Sequence, residues 1–172
     1  MKFQELLSDK TIKPKEKTEM LSKWILENPL KINELIDFSR TSKDPVKATC
    51  IESFEFATKQ NPGIASEALL TYASASLTEK APRIKWESAK VVGNIAHLFP
   101  TKLDTTINNL LVNTEHTGTV VRWSAAFALG EILKLKTPHN RTLTPAIMAI
   151  CEREEKNSIR KIYLVALKIA GK

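Results

Sequence analysis

The sequence predicts an all-α fold of stacked helix pairs, and three observations carry that reading. Only 5 of 172 residues are glycine, and the 42% of apolar residues lean towards Ala, Leu and Ile, a mix that favours helix over strand. Pro62, Pro100 and Pro138 follow one another at an interval of 38 residues. The dipeptides Val46-Lys47, Ile84-Lys85, Val121-Arg122 and Ile159-Arg160 each set an aliphatic residue before a base, and the bases stand 38, 37 and 38 residues apart. Two markers with one period point to a repeat array, in which each unit buries its apolar faces only against its neighbours.

The elements follow in order. Residues 1–29 form an N-terminal cap of one or two helices, with Leu21, Trp24 and Ile25 on its buried side. Four helix pairs follow at about 30–61, 62–99, 100–137 and 138–172, so that residues 1–172 make one repeat domain. The first helices carry apolar stripes at helical spacing: Ile32, Leu35 and Ile36; Ala65, Leu69, Tyr72 and Ala73; Leu103, Ile107, Leu110 and Leu111; Leu143, Ile147, Ile150 and Cys151. The second helices repeat the pattern four, seven and ten positions after each base. These are Ile51, Phe54 and Ala57; Ala89, Val92 and Ile95; Ala126, Leu129 and Ile132; and Leu164, Leu167 and Ala170. All twelve are expected to be buried. Pro62, Pro100 and Pro138 fall between repeats, where a missing N–H does little harm, and Pro45 and Pro82 fall at starts of second helices, where a fixed φ suits the first turn.

The stretches Asp44-Pro45-Val46-Lys47 and Val121-Arg122-Trp123-Ser124-Ala125-Ala126-Phe127-Ala128-Leu129-Gly130-Glu131-Ile132 resemble the second helix of HEAT repeats, whose pattern is roughly D-P-x-V-R-x-x-A-x-x-A-L-G. The resemblance covers about residues 30–172 and is strongest at 119–133. It implies a right-handed α-α superhelix, a HEAT-like α-solenoid, used as an interaction scaffold. Only Asp44 supplies the pattern's acidic residue; the later turns have Ala81-Pro82, Gly118-Thr119 and Asn157-Ser158.

In such a stack the second helices line the concave side, and their exposed ridge lies opposite the buried stripe. Stepping along each helix gives Ala48, Glu52, Glu55 and Lys59; Trp86, Lys90, Gly93 and His97; Trp123, Phe127, Gly130 and Lys134; and Lys161, Val165, Lys168 and Lys172. Large aromatics flanked by Lys suit a binding groove, because rigid rings gain contact area at low entropy cost. The candidate groove is therefore Trp86, Lys90, His97, Trp123, Phe127, Lys134, Lys161 and Lys168, with Gly93 and Gly130 opening space beside the two tryptophans. The other arrangement consistent with the pattern tucks both tryptophans between repeats, with the glycines serving close helix packing. The bases Lys47, Lys85, Arg122 and Arg160 fit either a phosphate-contacting ladder or contacts to turns of neighbouring repeats, and the resemblance favours the second.

Net charge is +7, and residues 101–172 hold 11 Lys/Arg against 6 Asp/Glu, so an acidic partner or nucleic acid comes into view. Cys50 and Cys151 are isolated and read as small core hydrophobes. The N-terminus lacks a signal-peptide pattern and no apolar run approaches a membrane span, so a cytoplasmic protein without membrane attachment is expected.

No catalytic set assembles. His97, His116 and His139 have no His or Cys at ligand spacing, phosphate loops are missing, and Glu154-Glu155 reads as an exposed charged helix end. No cofactor and no metal are expected. Some alkylpurine DNA glycosylases are HEAT-like and use tryptophans with a carboxylate, which would here be Trp86, Glu87, Arg122 and Trp123; Glu87 sits about 100° round the helix from Trp86, away from a common site. The expectation is a non-catalytic module for a protein or peptide partner, with nucleic-acid binding through the basic C-terminal half as the alternative. Self-association through an open end of the stack is a third arrangement, and the oligomeric state stays open.

Overall fold

The computed structural model describes residues 1–172 as ten α-helices: α1 Phe3–Ser8, α2 Pro14–Glu27, α3 Ile32–Arg40, α4 Asp44–Gln60, α5 Glu67–Ser76, α6 Pro82–Ile95, α7 Asp104–Asn113, α8 Thr119–Lys134, α9 Asn140–Arg153 and α10 Asn157–Ala170. Proline sets several starts. Pro14, Pro45 and Pro82 occupy the first turns of α2, α4 and α6, where their fixed φ is already helical. Pro29 and Pro62 open short 3₁₀ turns. Ser66 caps α5 by accepting the Leu69 N–H.

The helices form an all-α solenoid of two layers. The second helices α4, α6, α8 and α10, preceded by α2, pack directly on one another in one continuous layer. The first helices α3, α5, α7 and α9 form the other layer and touch one another more sparsely. Closer packing in one layer is the relation of an inner to an outer side, so the second helices line the inner face. A single core runs the length of the stack. It includes Leu21, Ile25, Leu35, Ile51, Phe54, Leu69, Ile84, Ile95 and Leu103, all essentially inaccessible. Each such side chain stabilises the fold by about 1.5–3 kcal/mol through burial.

Polar bonds tie neighbouring first helices. The Ser39 and Tyr72 hydroxyls meet between α3 and α5. Thr106 donates to Ser74 Oγ at 3.1 Å and Asn113 to the Leu77 carbonyl at 3.1 Å, joining α7 to α5 and the turn after it. At the N-terminal end, Phe3 lies edge-on to Trp24, with ring centres 4.9 Å apart, and also meets Phe38.

Nine of the twelve residues expected on the buried stripe of the second helices are buried: Ile51, Phe54, Ala57, Ala89, Val92, Ile95, Ala126, Leu129 and Ile132. The last repeat departs from the pattern. Leu164 is 52% exposed, and Leu167 and Ala170 are half-buried. The reason is geometric: α10 packs on α8 and α9, and no further pair lies on its other side.

The repeat bases turn inward. Lys47 Nζ reaches Glu79 at 3.1 Å in the turn of the following repeat. Lys85 donates to the Leu77 carbonyl and to Asn113 Oδ1. Arg122 donates to the carbonyls of His116 and Thr117 and grips Glu154, while Arg160 donates to the Glu154 carbonyl. Lys47, Lys85 and Arg122 thus clip their repeats to the next, whereas Arg160 bonds within its own turn.

Candidate functional site

The inner ridge is built on α4, α6, α8 and α10, and its centre is the pair Trp123 and Phe127. One helical turn apart on α8, the two rings stack nearly parallel, 12° between planes, with centres 6.0 Å apart. Trp123 is 40% exposed and Phe127 half-buried. Trp86, on α6, is also half-buried.

Gly93 and Gly130 do not open space for a partner, contrary to the expectation from sequence. A Cβ at Gly93 would stand 2.3 Å from Phe127 Cε1, so the edge of the Phe127 ring already occupies that notch. A Cβ at Gly130 would lie 3.4 Å from Ala166 Cβ and 3.6 Å from Ile162 Cγ2, where α10 crosses α8. Both glycines permit close packing of successive inner helices. Of the ridge residues, Ala48, Glu55, Gly93 and Gly130 are buried; they lie on the flank of their helices that meets the neighbouring inner helix.

Glu87 also departs from expectation. Its Oε1 accepts the Trp86 Nε1–H at 2.9 Å, so side chains of adjacent residues converge although their Cβ atoms diverge. Glu87 Oε2 takes Lys90 Nζ at 3.3 Å, and Lys90 stands 4.0 Å from Glu55 across the α4–α6 contact. Trp86, Glu87, Lys90 and Glu55 therefore form one chain of polar neighbours. Burial pushes the Glu55 carboxyl above its ordinary value; Lys90 pulls it down, and Glu87 pushes it further up. Beside this chain, Glu52 accepts Arg83 at 2.7 Å and Thr18 at 3.0 Å.

Charge changes along the ridge. Lys134 is held by Glu131 at 2.6 Å. His97 is exposed in the short 3₁₀ turn that follows α6. Lys161, Val165 and Lys168 on α10 and Lys172 just after it are all exposed, and the three lysines make no ion pair. The structure thus brings Trp123 together with Phe127 and places Lys90 with Trp86. It leaves Lys161 and Lys168 open on the last helix and His97 apart at the edge.

Glu154 is not part of an exposed helix end. It is buried in the turn between α9 and α10 and accepts both prongs of Arg122, at 3.0 and 3.3 Å, with the Lys156 N–H at 3.0 Å. Burial pushes its carboxyl up, but the bonds from Arg122 and the backbone outweigh this and hold it below the ordinary value. A sequence signal for it existed. Lys47 to Glu79 and Arg122 to Glu154 both span 32 residues, and each acid lies six residues before the next base. No group of three or more His, Cys, Asp or Glu stands close enough to hold a metal ion. No helix is long and apolar enough to cross a membrane.

No protein-family model matches the sequence, and no curated protein matches it. Solved structures share the fold. A designed armadillo repeat protein in complex with the peptide (KR)4 superimposes with a TM-score of 0.73 at 15% identity, over 98% of this chain and 80% of that one. The complex of CpcE and CpcF of phycocyanin lyase from Nostoc gives a TM-score of 0.71 at 15% identity, over 95% of this chain and 96% of that one. An engineered protein gives 0.56 at 14% identity, over 99% and 95%. At such identities the likeness establishes a helical repeat solenoid and does not single out the HEAT type.

Proposed function

We propose that the chain is a non-catalytic interaction module whose inner face binds a segment of a partner protein across Trp123 and Phe127. The exposed Trp123 ring, stacked on the half-buried Phe127 in the inner layer, is the observation that carries this reading. Aromatic anchors of this kind dominate interface energies, and the surrounding contacts serve mainly to exclude water. The solved neighbours lend support: one holds a peptide, and another is a complex of two different chains. A uniformly basic peptide suits this ridge poorly at its C-terminal end, where Lys161, Lys168 and Lys172 are unpaired. The partner segment instead presents an apolar anchor to Trp123 and acidic residues to α10.

The test is an affinity capture from the native cell with wild-type chain and Trp123→Ala, read by quantitative mass spectrometry. A partner recovered by the wild type should be lost with the variant, in line with a hot-spot cost of about 2 kcal/mol or more. Equal recovery with both would overturn the reading.

Nucleic-acid binding draws less support. Lys47, Lys85, Arg122 and Arg160 are bonded within the chain, and Lys90 and Lys134 face carboxylates. Retention on DNA or RNA that falls steeply with salt would revive it.

A further inference from the structure

The stack ends on an open side of α10, and three residues point to it. Arg160, the last repeat base, is followed at four-residue steps by Leu164 and Lys168, which sets the three along one side of the helix. Their counterparts in earlier repeats are all satisfied or buried. Lys47 reaches Glu79, Lys85 reaches Asn113 and Arg122 reaches Glu154, each at the turn of the following pair. Arg160 finds only the Glu154 carbonyl of its own turn and no carboxylate. Ile51, Ala89 and Ala126 are buried, whereas Leu164 is exposed. It lines a groove of about 430 Å³ with Met148, Cys151, Glu152, Arg160 and Leu167. Glu55, Gly93 and Gly130 are buried where the next inner helix crosses, and Lys168 in the same place is exposed.

The chain itself shows what meets a charge at these positions. At the first, the Arg122 guanidinium is met by the Glu154 carboxylate at 3.0 Å. At the third, Glu55 on α4 has the Lys90 ammonium of the next inner helix at 4.0 Å. Lys168 stands in the place of Glu55 with the sign reversed, so its matching group is a carboxylate. It also replaces the glycine that lets α10 cross α8 closely, and a helix lying here must supply a partner for the ammonium. Residues 157–172 hold four bases and no acid, and Glu152 is the one acid lining the groove. Between Arg160 and Lys168 the surface is apolar, formed by Leu164, Leu167, Met148 and Cys151. A second copy fits poorly. Tail to tail, it sets like charges against each other. Head to tail, it offers α2, whose Glu19 and Glu27 already face Lys15 and Lys23.

We infer that the open side of α10 is a docking surface for an acidic amphipathic helix of a partner protein. The docking face of that helix carries an apolar residue over Leu164 and the groove, with a carboxylate one turn to either side for Arg160 and Lys168. The surface lies at the end of the stack, beyond the Trp123 ridge, and shares only Lys168 with the inner face.

The probe is an acetylated and amidated alanine-rich helix of about 18 residues with Glu, Leu and Glu at four-residue steps. The chain has three methionines; Met148 lines the groove, while Met1 and Met20 belong to the N-terminal cap. In spectra of the chain labelled with ¹³C-methyl methionine, Met148 is assigned by its loss in Met148→Leu. Titration should shift the Met148 methyl saturably and leave Met1 and Met20 in place. Peptides with Gln or Lys for both Glu should give no saturable shift. Lys168→Glu, at an exposed position, should weaken the Glu peptide about tenfold, because an attraction becomes a repulsion. No saturable shift, an equal response to the Gln or Lys peptide, or an unchanged titration in Lys168→Glu would each overturn the proposal. A Met148 shift that grows with protein concentration alone, with dimers in light scattering, would do so by assigning the surface to a second copy. A tighter response to single-stranded DNA than to the Glu peptide would do so by assigning the bases to nucleic acid. Should Lys168→Glu fail to fold, the wild-type contrast among the three peptides decides alone. The Met148 readout does not involve Trp123, so failure here and failure of the Trp123 capture are separate results.

Discussion

Arg122 and Glu154 form a two-pronged ion pair between α8 and the turn that precedes α10, with Nε–Oε2 at 3.0 Å and Nη2–Oε1 at 3.3 Å. Glu154 is almost wholly enclosed, and the Arg122 side chain is 18% exposed. The pair holds the last repeat onto the one before it. Removing one partner leaves the other charge buried and uncompensated, so Arg122→Met should destabilise the chain by about 3 kcal/mol or more in urea unfolding. A loss below about 1 kcal/mol would show that the clip contributes little.

The same pair sets an acid limit. The Glu154 carboxyl in the fold is held below its ordinary value of 4.5. A group shifted down contributes stability that is present above the unfolded value and is lost as pH falls through the folded one. Melting temperature should therefore hold near neutrality and drop as pH falls below about 4.5. In Glu154→Gln the drop should be shallower. Parallel curves for the two proteins would contradict this.

Glu55 has the opposite sign. Its carboxyl is raised, chiefly by burial, so the ionised form disfavours the fold and stability is lost as pH rises through the folded value. Glu55→Gln should consequently leave stability at pH 7 unchanged or increased, whereas Glu154→Gln lowers it. A loss above about 1 kcal/mol in Glu55→Gln would mean that the carboxylate makes a stabilising contact after all.

Gly93 and Phe127 are coupled through space. In Gly93→Ala the new methyl would displace the Phe127 ring, with an expected cost of about 1–3 kcal/mol. In the background of Phe127→Ala the same change should cost far less. A double-mutant cycle in denaturant measures the coupling, and additive losses would show that the ring swings aside freely.

Equivalent positions in different repeats should not respond alike. Ile51 and Leu164 both stand four residues after a repeat base, but one is 1% and the other 52% exposed. Ile51→Ala should cost about 2–5 kcal/mol, and Leu164→Ala less than about 1 kcal/mol, in the same unfolding assay.

Much of the fold was legible because burial in a repeat array imposes one period on two unrelated signals, the prolines and the aliphatic-base pairs. That period located both helices of each pair and nine of the twelve inner core residues. The failures have a common cause. Periodicity along one helix says which face is buried, but not which side chain from the next helix fills a given gap. Gly93 is the example: its own helix leaves the notch open, and Phe127, 34 positions on, fills it. Glu154 stands in a charged run that reads as solvated, and only its partner 32 residues earlier marks it as half of a repeat clip. Trp86 and Glu87 converge because a long side chain can reach round the helix, which Cβ directions do not convey.

The wedging of Phe127 into the Gly93 notch has a thermodynamic consequence for whatever lies on Trp123. The Phe127 ring is held at its edge by α6, and the Trp123 ring is held at its face by Phe127. Torsional freedom that an exposed tryptophan would forfeit on contact has largely been surrendered during folding. A partner docking there would then bear most of the ordering entropy of the contact itself.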